Sequence, residues 1–252
     1  MLRFCPDATI IDISHQVPRY SIRDGAGTLV FALPWMPVGV HVAVVDPGVG
    51  TDRLAVALRT GRGDILLGPD NGLLIEAGEA LGGIIEARSL ENRALMLPDV
   101  SNSFHGRDVF APVAGHLAAG TPFAAVGPVV PLDRLVRLPA ARPAIGDGVL
   151  DSVIVHVLIY GNVTLAGTPA DLEAAIGPLT AGRPLRVSFP EHGGAPAVEE
   201  RTVWARTFAD VPLGASLLYS DSEGQLALAD NQGDAAVRLG LALDRPVRIA
   251  PG

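Results

Sequence analysis

The stretch that decides the fold spans residues 41–53 and reads HVAVVDPGVGTDR. Residues 41–45 are nearly all apolar and rich in valine, which is typical of a β-strand covered on both faces. Asp46, Pro47 and Gly48 follow as good turn residues. A carboxylate therefore stands just beyond a buried strand, where open α/β sheets collect their ligands. On local evidence alone, the segment fits an ordinary turn better than a ligand site.

Strands and helices alternate on both sides of this stretch. The apolar spacing over residues 22–33 predicts a helix that ends before Pro34. The alternation predicts an α/β domain with a largely parallel sheet over residues 1–140. The predicted strands are 8–13, 41–45, 54–58, 65–67 and 83–87, and the predicted helices are 22–33, 73–81 and 107–119.

The second half has a different character. Residues 128–148 are rich in proline and glycine without sustained periodicity, which indicates a connection between domains. Thr168, Pro169 and Asp171 have the pattern of a helix N-terminus. Short strands separated by glycine turns predict a smaller C-terminal β-barrel domain over residues 146–252. The predicted strands are 152–159, 185–189, 201–207, 216–219, 225–229 and 247–250.

Composition excludes several classes of protein. The 19 basic and 27 acidic residues give a net charge of −8, which argues against a nucleic-acid-binding protein. The sequence contains no lysine, so it cannot form a Schiff base with a cofactor or build a nucleotide-binding P-loop. Gly48 and Gly50 lack the third glycine of a dinucleotide-binding loop. We therefore expect no cofactor.

The single cysteine, Cys5, excludes an internal disulfide and a multi-cysteine metal site. We expect a reducing, cytoplasmic location. The N-terminus has no apolar leader, and Pro34, Pro37 and Gly39 interrupt the most apolar stretch, so we expect no membrane span.

Other polar motifs follow predicted elements, and each one alone could be an ordinary turn. His105 stands directly before a predicted helix, next to Gly106, which allows close approach of a ligand. The motifs are GPDNG at 68–72, SNSFHGRD at 101–108, YGN at 160–162, SDSEG at 220–224 and DNQG at 230–233.

Taken together and in this order, the motifs resemble one family, the S-adenosyl-L-methionine (SAM) hydroxide adenosyltransferases, which are related to fluorinating and chlorinating enzymes. The resemblance begins at ATIIDISH, residues 8–15, and covers nearly the whole chain. Five ordered motifs are far more specific than any one of them. The resemblance therefore favours a functional role over a plain turn at Asp46 and His105.

The resemblance implies an α/β domain, a β-barrel, and a homotrimer with the substrate between the N-terminal domain of one subunit and the C-terminal domain of its neighbour. It implies attack of water or hydroxide on the ribose C5′ of SAM, giving adenosine and L-methionine. The family's hydrolytic triad matches Asp46, Arg53 and His105. We expect Arg53 to place positive charge beside the incipient hydroxide, while Asp46 and His105 orient the water and accept its proton.

Substrate-binding positions also follow from the resemblance. Tyr20 and Phe104 match aromatic walls of the pocket, and Asn162 matches the asparagine of a Phe-Gly-Asn motif. The methionine end is expected at Ser222 and Glu223, and the adenine edge is expected at Asn231 and Gln232.

Two departures from the family pattern leave alternatives open. The family begins with a strand and a Thr-Asp-Phe-Gly segment that holds the ribose; the present sequence starts after that point, so we expect one strand and one ligand fewer, or a start codon placed too late. Leu158 stands where many members have an aspartate. These departures favour a non-catalytic SAM- or adenosine-binding module as the first alternative. A SAM-dependent halogenase is the second, although the halogenating relatives lack the triad that matches here.

Overall fold

The computed structural model describes all residues from 1 to 252. The chain forms two compact units, Met1–Leu138 and Pro139–Gly252. None of its helices combines the length and the apolar character needed to span a bilayer.

The first unit is an α/β domain, as predicted. Its strands are β1 (Val40–Val42), β2 (Ala55–Thr60), β3 (Ile65–Pro69) and β4 (Ile84–Ser89). Its helices are α1 (Ile22–Ala32), α2 (Ile75–Ala80) and α3 (Ala111–Ala118), and a π-helical turn, Gly106–Phe110, leads into α3.

The sheet of this unit is mixed, so the prediction of a largely parallel sheet is wrong. The strand order is β1-β3-β2-β4, in which β1 and β3 are parallel while β2 runs antiparallel to both β3 and β4. The short connection over residues 61–64 explains why β2 and β3 are antiparallel. A connection of this length can join only antiparallel neighbours, because a parallel pair needs a long crossover.

The predicted strand at 8–13 is also wrong, because these residues form no secondary structure. Alternating apolar residues favour a strand only where a neighbouring strand accepts their backbone hydrogen bonds. Here Ile10 and Ile11 are about half exposed and pair with no strand of the sheet.

Helices cover the sheet on both faces. One face packs against α1 and α2, where Leu29 and Ile75 meet Leu58 of β2. The other face packs against α3, where Val113 meets Ala57. The strand predicted at 41–45 is shorter and less buried than expected: β1 spans only Val40–Val42, its residues are partly buried, and Val44 is 43% exposed. The reason is its place at the edge of the sheet, where it has a neighbouring strand on one side only.

The second unit is a closed β-barrel, as predicted. Seven strands follow the order β12-β8-β9-β10-β11-β7-β6, and pairing of β12 with β6 closes the ring. Closure removes exposed sheet edges. The strands are β5 (Ala144–Ile145), β6 (Leu150–Val157), β7 (Val163–Leu165), β8 (Pro184–Phe189), β9 (Val198–Trp204), β10 (Ser216–Ser220), β11 (Leu226–Asp230) and β12 (Pro246–Pro251).

The second unit also contains two helices, α4 (Pro169–Ile176) and α5 (Ala235–Leu239). The predicted N-terminus of α4 is confirmed: the side chain of Thr168 accepts from the Asp171 N–H, and the Asp171 side chain accepts from the Thr168 N–H. The expected connection at 128–148 contains strand β5, which pairs with β6.

Candidate active site

Asp46, Arg53 and His105 form one hydrogen-bonded chain in the first unit, although up to 59 residues separate them. The Arg53 Nε donates to both carboxylate oxygens of Asp46 at 3.1 Å, and Nη2 donates to Oδ2 at 2.5 Å. The same Nη2 lies 2.9 Å from Nδ1 of His105. Arg53 therefore stands in the middle and connects the acid to the imidazole.

The Asp46–Arg53 ion pair is largely shielded from solvent. The Arg53 side chain is 10% exposed and that of Asp46 is 5% exposed. The guanidinium also lies 5.7 Å from the ring centre of Phe110, which screens one side. Attraction between charges is stronger in such surroundings than in water, so the pair holds a defined geometry.

The bond to Arg53 determines the tautomer of His105. A guanidinium has donors and no acceptor, so Nδ1 of His105 must accept. With Nδ1 accepting, the ring hydrogen lies on Nε2, which can donate a hydrogen bond to a ligand. In this arrangement Nε2 faces a bound water as a donor, and the expected role of His105 as a proton acceptor stays a prediction.

Local backbone structure brings the loop of Asp46 and Arg53 against the segment of His105. Asp46 follows β1, and Arg53 lies two residues before β2. Between them Gly50 has a positive φ of 81°, and a Cβ there would lie 2.6 Å from the carbonyl oxygen of Asn102. Gly50 is therefore needed for this close approach.

The two aromatic residues predicted to bind substrate in this unit are exposed. Tyr20 is 76% exposed with a positive φ of 67°, and Phe104 is 56% exposed. Phe104 lies directly before His105, and its ring stacks under the guanidinium of Arg107 at 4.9 Å. No hydrogen bond or ring contact joins Tyr20 to the triad.

A buried carboxylate anchors the helical turn that carries His105. Asp108 is fully buried and accepts from the Arg107 Nε at 2.6 Å and from the Ser101 N–H at 2.9 Å. The hydrogen bonds from Arg107 and then Ser101 hold the pKa of Asp108 far below its usual value. The segment before His105 is thus fastened to the turn after it.

In the second unit, Asn162 and Gln232 line the same cavity of about 490 Å³. The sequence motifs at 160–162 and 230–233 therefore meet, although about 70 residues separate them. Sequence reasoning missed Phe208 as a lining residue, because a lone aromatic residue between strands carries no motif. The lining residues are Tyr160, Asn162, Phe208, Asp230, Gln232 and Gly233.

Two close contacts fasten these motifs together. The Ala236 N–H donates to the carbonyl of Gly161 at 2.9 Å. Gly161 has a φ of 82°, and a Cβ there would collide with the side chain of Asp234. The Leu158 N–H donates to the Asn162 carbonyl at 2.8 Å, so Leu158 closes the turn through its backbone.

The other predicted residues of this unit do not line the cavity. Ser222 and Glu223 are exposed on the turn between β10 and β11. Asn231 is buried, and its side-chain Nδ2 donates to the Val211 carbonyl at 2.8 Å. That donor is occupied within the fold, and only other atoms of Asn231 could meet a ligand.

The structure contains no cluster of three or more histidine, cysteine, aspartate or glutamate side chains arranged to hold a metal ion.

Fold and site together define a two-unit protein with an acid–arginine–histidine centre on an α/β unit and a polar cavity on a β-barrel. Profiles of the SAM hydroxide adenosyltransferase N-terminal domain match residues 1–127, and those of its C-terminal domain match residues 153–248. The chain belongs to this family.

Individual relatives agree with this assignment. The chain is 46% identical over 254 residues to an (R)-S-adenosyl-L-methionine hydrolase of Salinispora tropica, covering 100% of this chain and 90% of the relative. It is 31% identical over 263 residues to a fluorinase of Actinoplanes sp., covering 94% of this chain and 85% of the relative. An uncharacterized conserved protein from Thermotoga maritima superposes with a TM-score of 0.84 at 33% identity, covering 99% and 91%.

Proposed function

We propose that this protein hydrolyses SAM to adenosine and L-methionine. The observation that carries the proposal is the Asp46–Arg53–His105 hydrogen-bonded chain, in a family whose similar members include a SAM hydrolase.

The reaction needs an activated nucleophile more than an acid. Water attacks the ribose C5′, the C5′–S bond breaks, and sulfur keeps the electron pair. The leaving group is neutral L-methionine, which needs no proton at sulfur, and the water oxygen becomes the 5′-hydroxyl of adenosine. One proton leaves the water, whose pKa in bulk is about 15.7.

The geometry assigns different tasks to the three side chains. Nε2–H of His105 donates to the water oxygen and fixes its position. Arg53 supplies positive charge beside the developing hydroxide, and its Nη1 makes no hydrogen bond to the protein. Asp46 keeps acceptor capacity on Oδ1 and receives the proton or passes it to solvent.

Substrate recognition is divided between the two units. We propose that Asn162 and Gln232 contact the adenine in the cavity of the barrel, with Asn231 contributing through its side-chain Oδ1. Tyr20 and Phe104 provide apolar walls at the reacting end, and Ser222 and Glu223 hold the methionine end. Unpaired polar groups in such a site would reject a wrong ligand.

We further propose that the active site is completed between subunits of a homotrimer in the cytoplasm, where the single cysteine stays reduced. Complementation tests the first part. In mixed trimers of Asp46→Ala and Asn162→Ala chains, roughly one quarter of shared sites combine two intact halves. Recovery of about that fraction of activity supports shared sites, and no recovery after verified subunit exchange contradicts them.

Product analysis tests the proposed reaction. The purified protein is incubated with SAM in H₂¹⁸O, and the products are separated by chromatography and mass spectrometry. We expect adenosine carrying ¹⁸O at the 5′ position and L-methionine without label. Binding of SAM without adenosine release would favour a non-catalytic module.

Halogenation is tested in the same assay, because a fluorinase is among the relatives. Addition of fluoride or chloride should leave adenosine as the product. A halide-dependent 5′-halo nucleoside would overturn the assignment of water as the nucleophile.

A further inference from the structure

We propose that Asn71 is a positioning residue that sets the geometry of the Asp46–Arg53 pair; this inference rests on the proposed function. Asn71 lies in the turn directly after β3 and contacts none of the triad side chains itself. Its effect would pass through the backbone beside Asp46.

The side chain of Asn71 adds one more hydrogen bond between these two segments, beyond the point where the pairing of β1 with β3 ends. The last backbone bond between these segments runs from the Ala43 N–H to the Leu67 carbonyl at 3.0 Å. Two residues later the Asn71 Nδ2 donates to the carbonyl of Val45 at 2.8 Å. Val45 is the immediate neighbour of Asp46, so this bond fixes the residue from which the carboxylate projects.

The same turn holds the other end of the loop. The Asp70 N–H donates to the carbonyl of Leu54 at 2.9 Å, and Leu54 is the immediate neighbour of Arg53. The turn of residues 70–71 therefore forms hydrogen bonds to the backbone just before Asp46 and just after Arg53.

The turn itself is rigid. The Asn71 Oδ1 accepts from the Leu73 N–H at 3.2 Å, which is an Asx turn. The carboxylate of Asp70 accepts from the Val136 N–H at 2.9 Å. Gly68 packs so closely on the carbonyl of Ala43 that a Cβ there would collide with it. The hydrogen bonds to Val45 and Leu54 thus come from a turn that is itself held in place.

The fixed position of this turn matters because the triad depends on bidentate geometry. Arg53 must meet both oxygens of Asp46 and Nδ1 of His105 at once, and displacement of one partner by about 1 Å can cost roughly 100-fold in rate. A loop whose two ends are hydrogen-bonded at Val45 and Leu54 keeps that alignment while substrate enters.

The chain contains a matched control for this test. Asn92 has the same arrangement in the same unit: its Oδ1 accepts from the Ala94 N–H at 3.1 Å, and its Nδ2 donates to the Ala125 carbonyl at 2.8 Å. Neither contact borders the triad. Asn71→Ala and Asn92→Ala therefore remove equivalent bonds, and only the first removes one beside Asp46.

The first measurement does not need turnover. The ¹⁵N resonances of the His105 ring report the hydrogen bond that Nδ1 accepts from Arg53. We expect Asn71→Ala to shift them and Asn92→Ala to leave them as in the unsubstituted protein. Unchanged His105 resonances in folded Asn71→Ala would overturn the proposal, whether or not SAM hydrolysis is established.

The second measurement uses the hydrolysis of SAM. We expect Asn71→Ala to lower kcat roughly 10- to 100-fold while KM stays within about threefold. Asn71→Asp keeps the acceptor for Leu73 but loses the donor to Val45, so it should lower kcat similarly while folding. Full activity of Asn71→Asp would contradict the role of the Val45 bond.

A double variant separates positioning from general stability. If Asn71 acts through the triad, its substitution should lower kcat much less in a His105→Ala background than in the unsubstituted protein. Equal losses in both backgrounds would show that Asn71 acts elsewhere.

Discussion

Nη2 of Arg53 lies 2.9 Å from Nδ1 of His105, 52 residues further along the chain. This contact makes His105 a donor at Nε2, because the arginine can only donate to Nδ1. It also connects the loop after β1 to the helical turn before α3. The chemistry proposed for the protein follows from this relationship.

Loss of the imidazole should lower turnover more than binding. We expect His105→Ala to reduce kcat for SAM hydrolysis by roughly 10²- to 10⁴-fold with a smaller change in KM, because a positioned polar group acts mainly on the transition state. His15→Ala is the control, since the His15 side chain is 82% exposed. Steady-state kinetics of both variants check the prediction, and equal activities would remove His105 from the mechanism.

Arginine at position 53 should be irreplaceable by lysine. An ammonium group cannot donate to both oxygens of Asp46 and to His105 with the same geometry. We expect Arg53→Lys to lower kcat at least roughly 100-fold. Arg59→Lys alters a more exposed pair with Glu86 and should change little. An active Arg53→Lys enzyme would show that charge alone suffices.

Acid should destabilise the protein through Asp64, which accepts from His41 and from Arg62. Burial raises its pKa, but the hydrogen bonds from Arg62, His41 and Gly39 outweigh burial and lower the pKa to about 2 from 3.8. The folded pKa lies below the unfolded one, so the stabilisation is present above about pH 4 and is lost as the pH falls towards 2.

The expected loss is about 2 kcal/mol of unfolding free energy. Urea unfolding at pH 6 and at several values down to pH 2 measures it. The Asp64→Asn variant should lack this component of the pH dependence. Parallel pH profiles for the two proteins would mean that Asp64 does not contribute.

Gly161 should be essential for the cavity of the barrel. We expect Gly161→Ala to raise KM several-fold and to lower the unfolding free energy by about 2 kcal/mol or more, because the new Cβ collides with Asp234 and φ is positive. Gly182→Ala measures the cost of the positive φ alone, because Gly182 has a φ of 80° and open space around it. Equal stability losses would assign the whole effect to φ.

Arg238 should support substrate binding from outside the cavity. Its guanidinium holds Asp230 through two bonds of 2.7 Å and also meets Glu200 at 2.9 Å. We expect Arg238→Ala to raise KM about three- to tenfold, because Asp230 begins the turn that carries Gln232. Arg248→Ala, which breaks an exposed pair with Asp151, should leave KM unchanged. Isothermal titration with SAM gives an independent measurement.

The order of elements was predictable because apolar periodicity is local. Residues 22–33, with apolar spacing typical of a helix, became α1, and the capping residues of α4 behaved as their types require. Strand direction was not predictable in the same way. The short connection over residues 61–64 makes β2 antiparallel to β3, but which strand pairs with the other side of β2 depends on the whole sheet.

The candidate site was also only partly predictable. The family resemblance implied Asp46, Arg53 and His105, but nothing in the motifs distinguished the donor from the acceptor at His105. Phe208 lines the cavity without any motif of its own. Asn71 lies in a motif that could be an ordinary turn, and its bond to Val45 depends on two segments lying side by side.

By itself, the sequence determined the chemical types available: a lysine-free chain, one cysteine, and an acid, a guanidinium and an imidazole at turns beyond predicted elements. Only the tertiary structure decided which of these groups touch, in what order, and with which atom donating. The physical reason is that propensity and periodicity act over a few residues. Hydrogen bonds, in contrast, depend on tenths of an ångström between segments that the fold brings together.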